Sequence, residues 1–277
     1  MACPVCRSSL TYSGQTSRGR LLDGALECPE KHLFHVKKGI PLLKEPKISR
    51  DEFKWAVEFP DVRRYDDIQR QYKSYLSDRQ IKADERMMDE MVKRTPKDEV
   101  TLDIASGMGT FLRILSKHRT GAQIIGTDVD ETPLRGAMLK LREEGAYGRV
   151  SLCVMDAKRL AVKSNKVKCV VSHFGFNNIP QTGKAFSEVC RVLKNKGTLM
   201  FSALFLQEDS RSLKLAGRMG YGEIVSEKRL AKALEQAGLQ IDGVEEFYSG
   251  KWPHNPMDRL PLEGDWFAHS LVRTSVA

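Results

Sequence analysis

Three carboxylates in the middle of the chain stand where short apolar runs give way to loops: Asp103 in "TLDIASGMG", Asp128 in "IIGTDVD" and Asp156 in "LCVMDA". Acids at the tips of successive buried strands can hold a cation or accept hydrogen bonds from a ligand lying across the sheet. Gly107 and Gly109 follow Asp103 and lack a side chain, so the backbone there can approach a ligand closely. A carboxylate beside such a loop opposes phosphate, and no Lys-Ser/Thr pair follows it. The set therefore suits a zwitterionic adenosyl ligand better than a pyrophosphate. Asp103 is assigned to its ammonium group, and Asp128, roughly twenty residues on, to both ribose hydroxyls. Asp156 is assigned to the adenine amino group, with Met155 packed on the ring. Ala105, Val129 and Ala157, beside these groups, complete the expected binding set. The plainer alternative is a non-catalytic domain whose acids are merely solvated.

A second constellation lies at the amino terminus. "CPVC" and "CPEKH" each place two soft donors on a proline-stiffened turn, so Cys3, Cys6, Cys28 and His32 can close a tetrahedral zinc shell. A closed four-ligand shell is structural, and about forty residues with few apolar side chains need such a staple. His35 is the rival fourth ligand, further along an apparent strand. Cys153, Cys169 and Cys190 sit in apolar runs and read as buried, reduced thiols.

These groups must be held by alternating strands and helices. "EVTLDIAS", "AQIIGTDVD", "RVSLCVMDA", "VKCVVSHFG" and "GTLMFSALF" read as buried strands. Between them, "GTFLRILSKH", "PLRGAMLKLREEG" and "GKAFSEVCRVLKNKG" read as helices, the second starting at Pro133 and the third closed by Gly197. "SEKRLAKALEQAG" is a further helix with an imperfect capping box, Arg229 standing where Glu is usual. Two last strands, "LQIDGVEEFYS" and "WFAHSLVRT", have no helix between them and should pair antiparallel. The expected fold is α/β: a doubly wound, mostly parallel, seven-stranded sheet with a small zinc ribbon and a helical bridge. The division is 1–45 ribbon, 46–98 linker and bridge, 99–277 sheet domain. In the bridge, Pro46 and Ser49 mark a linker, Pro60 an interruption and Thr95-Pro96 an end. Tyr65, Tyr72 and Tyr75 belong either to half-buried helix faces or to a lid over an acceptor pocket.

Residues 99 to about 275 resemble the class I S-adenosylmethionine-dependent methyltransferases: Asp103, Gly107 and Gly109 fall on the first motif, Asp128 on the second, Asp156 on the third. The resemblance implies methyl transfer with S-adenosylmethionine as cofactor. Ala105 departs from the family, which has glycine there; alanine is tolerable if its φ stays negative. The first 45 residues resemble the zinc ribbon of the large-subunit rRNA guanine methyltransferases and of small ribbon proteins that partner methyltransferases, sharing the "GIPLL" ending. The segment "HFGFNNI" resembles the quinone-biosynthesis C-methyltransferase branch. In that segment His173 is a candidate base or a satisfied strand-end histidine, and Asn178 orients an acceptor or caps the turn before Pro180. Phe174 and Phe176 are candidate pocket walls. The loop "SGKWPHNPMDRLPLEGDW", with His254, borders the acceptor pocket or is a surface loop packed on its own tryptophans.

Composition narrows the classes that remain. The chain has 277 residues, 41% hydrophobic and 29% charged, and its apolar runs are too short to span a bilayer. No basic stretch followed by an apolar one opens the chain, so a cytoplasmic protein is expected, with no membrane partner. Net charge is +9, and residues 1–50 hold nine Lys/Arg against four Asp/Glu, which suits RNA or is ordinary solubility charge. The acceptor is a small organic molecule, aromatic or polyprenyl-like, or alternatively an rRNA or tRNA base gripped by the ribbon. The Asn/Asp-Pro-Pro-aromatic signature of exocyclic-amino methyltransferases is missing, which favours the first. A third class is an inactive, cofactor-binding partner protein. No residue pattern specifies an oligomer.

Overall fold

A computed structural model describes residues 1–44, 65–118, 123–221, 223 and 225–276. The linker expected after Pro46, with Ser49 and Pro60, lies outside the described residues. The chain opens with four strands, β1 (Thr11–Ser17), β2 (Arg20–Glu27), β3 (Leu33–Lys37) and β4 (Ile40–Leu43), joined as an antiparallel meander. Helices α1 (Tyr65–Ser74) and α2 (Asp78–Arg94) follow; Ser77 caps α2 by accepting from the Gln80 N–H, and Thr95 closes it. Then β5 (Thr101–Ile104), α3 (Thr110–His118), β6 (Ile124–Asp128), α4 (Glu131–Glu143), β7 (Val150–Met155) and β8 (Val167–Ser172) alternate as expected. The chain continues through α5 (Thr182–Val192), β9 (Leu193–Leu206), α6 (Arg211–Arg218), α7 (Glu227–Gln236), β10 (Leu239–Lys251) and β11 (Trp266–Val276).

The strands run β1-β2-β3-β4-β7-β6-β5-β8-β9-β11-β10, one sheet of eleven among the described residues. Seven of them, β7 to β10 in that order, are the expected doubly wound sheet, parallel except where β11 enters antiparallel between β9 and β10. The count of seven is corrected because β4 adds to β7 in parallel register, Leu42 opposite Val154 and Leu43 opposite Met155. The reason is burial. Ile40 and Leu43 are fully enclosed and point to opposite faces, so "GIPLL" is a sheet strand rather than the tail of an independent ribbon.

Helices cover both faces. Leu112, Leu115, Leu134 and Leu141 of α3 and α4 pack on one side together with Met87 and Met91 of the bridge helix α2. Phe186, Val189, Leu230 and Leu234 of α5 and α7 pack on the other. Two boundaries differ from expectation. Asp130 caps α4 through the Thr132 N–H, which puts Pro133 inside the first turn rather than at its start. Helix α5 ends at Val192, not at Gly197. The Asn165 and Lys166 N–H groups take its last carbonyls, Arg191 and Val192, at 3.0 and 2.9 Å, and Leu193 already pairs with Val167.

Candidate active site

A cavity of about 740 Å³ opens at the carboxyl ends of β5, β6, β7 and β8, and α1, α2 and the loop before β11 close over it. That size suits a pocket for drug-sized ligands. Its floor is made by the strand tips. Asp103 is 1% exposed, and neither carboxylate oxygen has a hydrogen-bond partner. Its main-chain carbonyl, by contrast, accepts from the hydroxyls of Ser106 (3.1 Å) and Thr127 (3.0 Å). Burial raises the Asp103 carboxyl to about 7, against the lowering influence of Ser106 and His173. A buried, unpartnered acid costs free energy unless a donor or cation reaches it.

Asp128 accepts from the Gly107 N–H and the Asp130 N–H, both at 2.9 Å, and so ties the glycine loop to the tip of β6. Burial raises it to about 6, opposed by those same N–H groups. Asp156 accepts from the Lys158 N–H at 2.9 Å and starts a single turn over residues 157–159. Ala105, Gly107, Val129, Met155, Asp156 and Ala157 all line the cavity with these acids. Gly109 does not. A Cβ there would come within 2.8 Å of the Ala137 Cβ, so with φ +76° it serves the contact between loop and α4.

The condition placed on Ala105 is not met: its φ is +53°, in the left-handed region. An L-residue there costs roughly 1–2 kcal/mol. The Ala105 Cβ lies against Gly175, where an added Cβ would meet Ala105 at 2.7 Å and the Ser172 Oγ at 2.4 Å. The first and fourth strand ends are thus interlocked side chain to bare backbone.

The side of the cavity expected to face an acceptor is built from distant segments. His173 Nε2 lies 2.8 Å from Asp84 Oδ1, a residue of α2. Burial works to raise the Asp84 carboxyl, but the charge and hydrogen bond of His173 outweigh it and hold it below its usual value. Asn178 Nδ2 donates to the Phe174 carbonyl at 3.0 Å, which is the turn-capping alternative, although the residue also faces the cavity. Phe174 lines the cavity and packs at 4.6 Å on the His269 ring. Phe176 is corrected: it is fully buried between Phe186 and Phe201 in the core. Its neighbour Asn177 instead fixes this segment, donating to the Leu204 carbonyl (3.1 Å) and accepting from the Leu204 N–H (3.0 Å).

The roof comes from α1, α2 and the last loop. Tyr72 donates to Asp258 Oδ2 at 2.9 Å, and the same oxygen accepts from Asn255 Nδ2. Burial first, then the Asp258 charge, raises the Tyr72 hydroxyl well above its usual value. Tyr75 is not among the lining residues, and Trp252, Met257 and Leu260 of the loop are. His254 is exposed beside Glu263. Asp84, Met88 and His269 were missed from sequence: Asp84 and Met88 sit on a charged helix with no motif, and His269 lies within the last strand, whereas Asp258 belongs to the loop expected to border the pocket but was not singled out in it.

At the amino terminus, the ligand atoms of Cys3, Cys6, Cys28 and His32 lie within 4.8 Å of one another. Cys28 Sγ is 3.2 Å from His32 Nδ1 and 3.6 Å from Cys6 Sγ. Hydrogen bonds from Ser8, side chain then backbone, bring the Cys6 thiol down to about 6, toward the thiolate a metal requires. His35 points outward on β3, away from the cluster. Cys153 and Cys169 are buried as expected, Cys190 only partly, and burial pushes the Cys153 thiol up to about 12. Among the described residues, no helix is long and apolar enough to cross a membrane.

Comparison with known proteins agrees with this architecture. Residues 102–201 match a family model described as a methyltransferase domain. Over 103 residues the chain is 33% identical to a ubiquinone/menaquinone biosynthesis C-methyltransferase of Hydrogenovibrio crunogenus, covering 36% of this chain and 40% of that one. It is 30% identical over 103 residues to a demethylmenaquinone methyltransferase of Bacteroides fragilis, covering 37% and 42%. The chain thus spans about two fifths of the length of these curated relatives. The crystal structure of an S-adenosylmethionine-dependent methyltransferase from Aquifex aeolicus superposes with a TM-score of 0.54 at 18% identity, over 78% of this chain and 99% of that one. The chain shares its fold.

Proposed function

We propose that the protein is an S-adenosylmethionine-dependent methyltransferase acting on a small, ring-bearing acceptor. The observation that carries this reading is the buried Asp103 carboxylate, unpartnered at the tip of β5, with Asp128 at the end of the adjacent β6 and Asp156 at the end of β7 beyond it. Asp103 would hold the ammonium group, Asp128 the ribose hydroxyls, and Asp156 with Met155, Val129 and Ala157 the adenine. Ala105 and Gly107 would supply the close backbone wall. S-adenosylmethionine brings a methyl group on a sulfonium, which is its own leaving group, so the protein's main task is alignment.

An acceptor that must lose a proton needs a base, and His173 is placed for it. With Asp84 accepting from Nε2–H, the imidazole keeps its lone pair on Nδ1. Phe174, Trp252, Met88 and Met257 supply the apolar and aromatic surface that a planar acceptor would contact. The names of the relatives, which refer to quinone biosynthesis, support a quinone-type ring, or its reduced hydroxylated form, as that acceptor.

Residues 1–45 form a structural zinc ribbon in this reading, with Cys3, Cys6, Cys28 and His32 as ligands and no open coordination position. The division 1–45, 46–98 and 99–277 is kept in this reading as ribbon, bridge and catalytic domain, with the last strand of the first part, β4, joined to the sheet of the third. RNA as acceptor draws less support. Arg7 and Arg20, two of the ribbon's cations, are engaged internally, on the Leu160 carbonyl and Glu188 and on the carbonyls of Tyr147 and Val150.

The test is calorimetric titration of the full chain with S-adenosylmethionine, followed by mass spectrometry of a panel of hydroxylated benzenes and naphthalenes incubated with both. Micromolar binding and a methylated ring product are expected. Absence of binding sinks the cofactor assignment, and binding without any methylated ring sinks the acceptor class.

A further inference from the structure

The metal-ligand turn and the adenine side of the cavity are separated by one side chain. Arg159 Nε donates to the Pro4 carbonyl, and its Nη2 donates to the Val5 carbonyl at 3.0 Å. Pro4 and Val5 are the two residues between Cys3 and Cys6, so the positions of these carbonyls follow from how the two sulfurs are held. At its other end Arg159 closes the turn begun by Asp156, its N–H bonding the Asp156 carbonyl at 2.9 Å. Asp156, Ala157 and Lys158 of that turn line the cavity.

Neighbouring bonds clamp the same junction. The Ala2 N–H donates to the Ala161 carbonyl at 3.0 Å, and Arg7 Nη1 donates to the Leu160 carbonyl at 2.7 Å. Leu43 is in register with Met155, and Lys44 Nζ reaches the Val129 carbonyl at 2.7 Å. The charges agree. Three thiolates and one divalent cation leave a cluster of net charge about −1, which favours a guanidinium beside it.

We propose that Arg159 is a positioning residue through which metal occupancy of the Cys3–Cys6–Cys28–His32 cluster sets the affinity of the cavity for its adenosyl ligand. This rests on the zinc and cofactor readings above. With the metal bound, the carbonyls between Cys3 and Cys6 are fixed, Arg159 is held, and the Asp156–Ala157 turn keeps its binding shape. With the metal removed, the carbonyls lose their frame and the turn is free to relax. Coupling of this kind is reciprocal, so ligand in the cavity must also retain the metal.

The experiment uses the zinc-loaded full chain, the chelator pyridylazoresorcinol and S-adenosylhomocysteine as the probe ligand. Zinc content by elemental analysis and probe affinity by calorimetry come first. Zinc affinity is then measured with and without saturating probe. We expect saturating probe to tighten zinc by about tenfold, within the usual range of such couplings. In Arg159→Ala the ratio should fall to about one, and in Arg159→Lys, which keeps a cation and a donor, it should be intermediate. A uniform loss of stability weakens both measurements equally and leaves the ratio unchanged, so the ratio separates coupling from general damage. A wild-type ratio of one overturns the proposal, as does a full ratio in Arg159→Ala. Should that variant not fold, the wild-type ratio and Arg159→Lys still decide. A chain that takes up no zinc refutes the ribbon and this proposal with it. Zinc uptake without probe binding refutes the cofactor reading and this proposal with it.

Discussion

The two halves of the cavity are assembled in different ways. The floor under the proposed cofactor comes from tips of adjacent strands in one sheet, with Asp103 in register opposite Gly126, Asp128 opposite Val154, and Asp156 directly after β7. The roof over the proposed acceptor comes from α1, α2, the turn after β8 and the loop before β11, joined by side-chain contacts such as Tyr72–Asp258 and Asp84–His173. The sequence distances across those two contacts are 186 and 89 residues. A floor set by backbone pairing is rigid, and it suits a ligand that does not change. A roof held by a few polar pairs can be altered at separate points without disturbing the floor, and it suits an acceptor that differs between enzymes.

If that contrast is right, floor and roof substitutions should separate cofactor affinity from turnover. The largest effect is expected at Asp128→Ala, which removes the proposed ribose acceptor and frees the Gly107 N–H. Calorimetry should show S-adenosylmethionine affinity falling by about a hundredfold or more, from two to three hydrogen bonds to a charged group at about 1.5–3 kcal/mol each. Unchanged affinity would mean the floor does not bind the ribose. Asp84→Asn comes next, and here kcat for methyl transfer should fall about ten- to a hundredfold, as for a mispositioned base. Cofactor affinity should stay within about twofold. A variant that loses affinity and turnover together would erase the distinction between the halves.

A third, intermediate effect concerns pH. The Asp103 carboxyl, raised to about 7 by burial, is protonated in the ligand-free protein below that pH. Affinity for a cationic ligand should therefore climb by about twenty-five-fold between pH 5.5 and 7.5, with proton release that calorimetry in buffers of different ionisation enthalpy can count. Because the folded value lies above the unfolded one, the ligand-free protein should lose stability as pH rises from about 4 through 7. Affinity that is flat over this range would contradict a role for Asp103. The smallest effect is at the joint between the halves. Ala105→Gly should relieve the left-handed strain but add freedom to the unfolded chain, for a net gain of about 0.5 kcal/mol in chemical denaturation. A clear loss of stability would show that the Ala105 Cβ contact with Gly175 outweighs its backbone strain.

The same contrast explains what could be read from the sequence. "DIASGMG", "GTDVD" and "VMDA" carry the floor in three local segments, and the helix and strand periods around them specify the doubly wound order. Ala105 was visible as a departure, but its backbone conformation was not, because alanine gives no sign that the loop turns left-handed. Asp84 and Asp258 carry no local signal; only the packing of Met87 and Met91 against α3 and α4 turns one face of α2 toward His173. Phe176 looked like a wall because it neighbours Phe174, yet a turn over residues 176–178 sends it into the core. Gly197 misled as a helix stop, since it sits at the irregularity where β9 joins β8.

The parallel pairing of β4 with β7 also has a bearing on solubility. Among the described residues, β7 has β6 on one flank and β4 on the other, so the main chain at its carboxyl end, around Val154 and Met155, is covered by Leu42 and Leu43. The outermost strand on that side among the described residues is β1, which is mostly exposed, polar and broken by an irregularity after Gly14, the kind of border that resists joining another molecule. Cutting away residues 1–44 would leave the apolar β7, with Leu152 and Val154, as a naked border strand, and molecules so trimmed should stick to one another whatever the cavity can still bind.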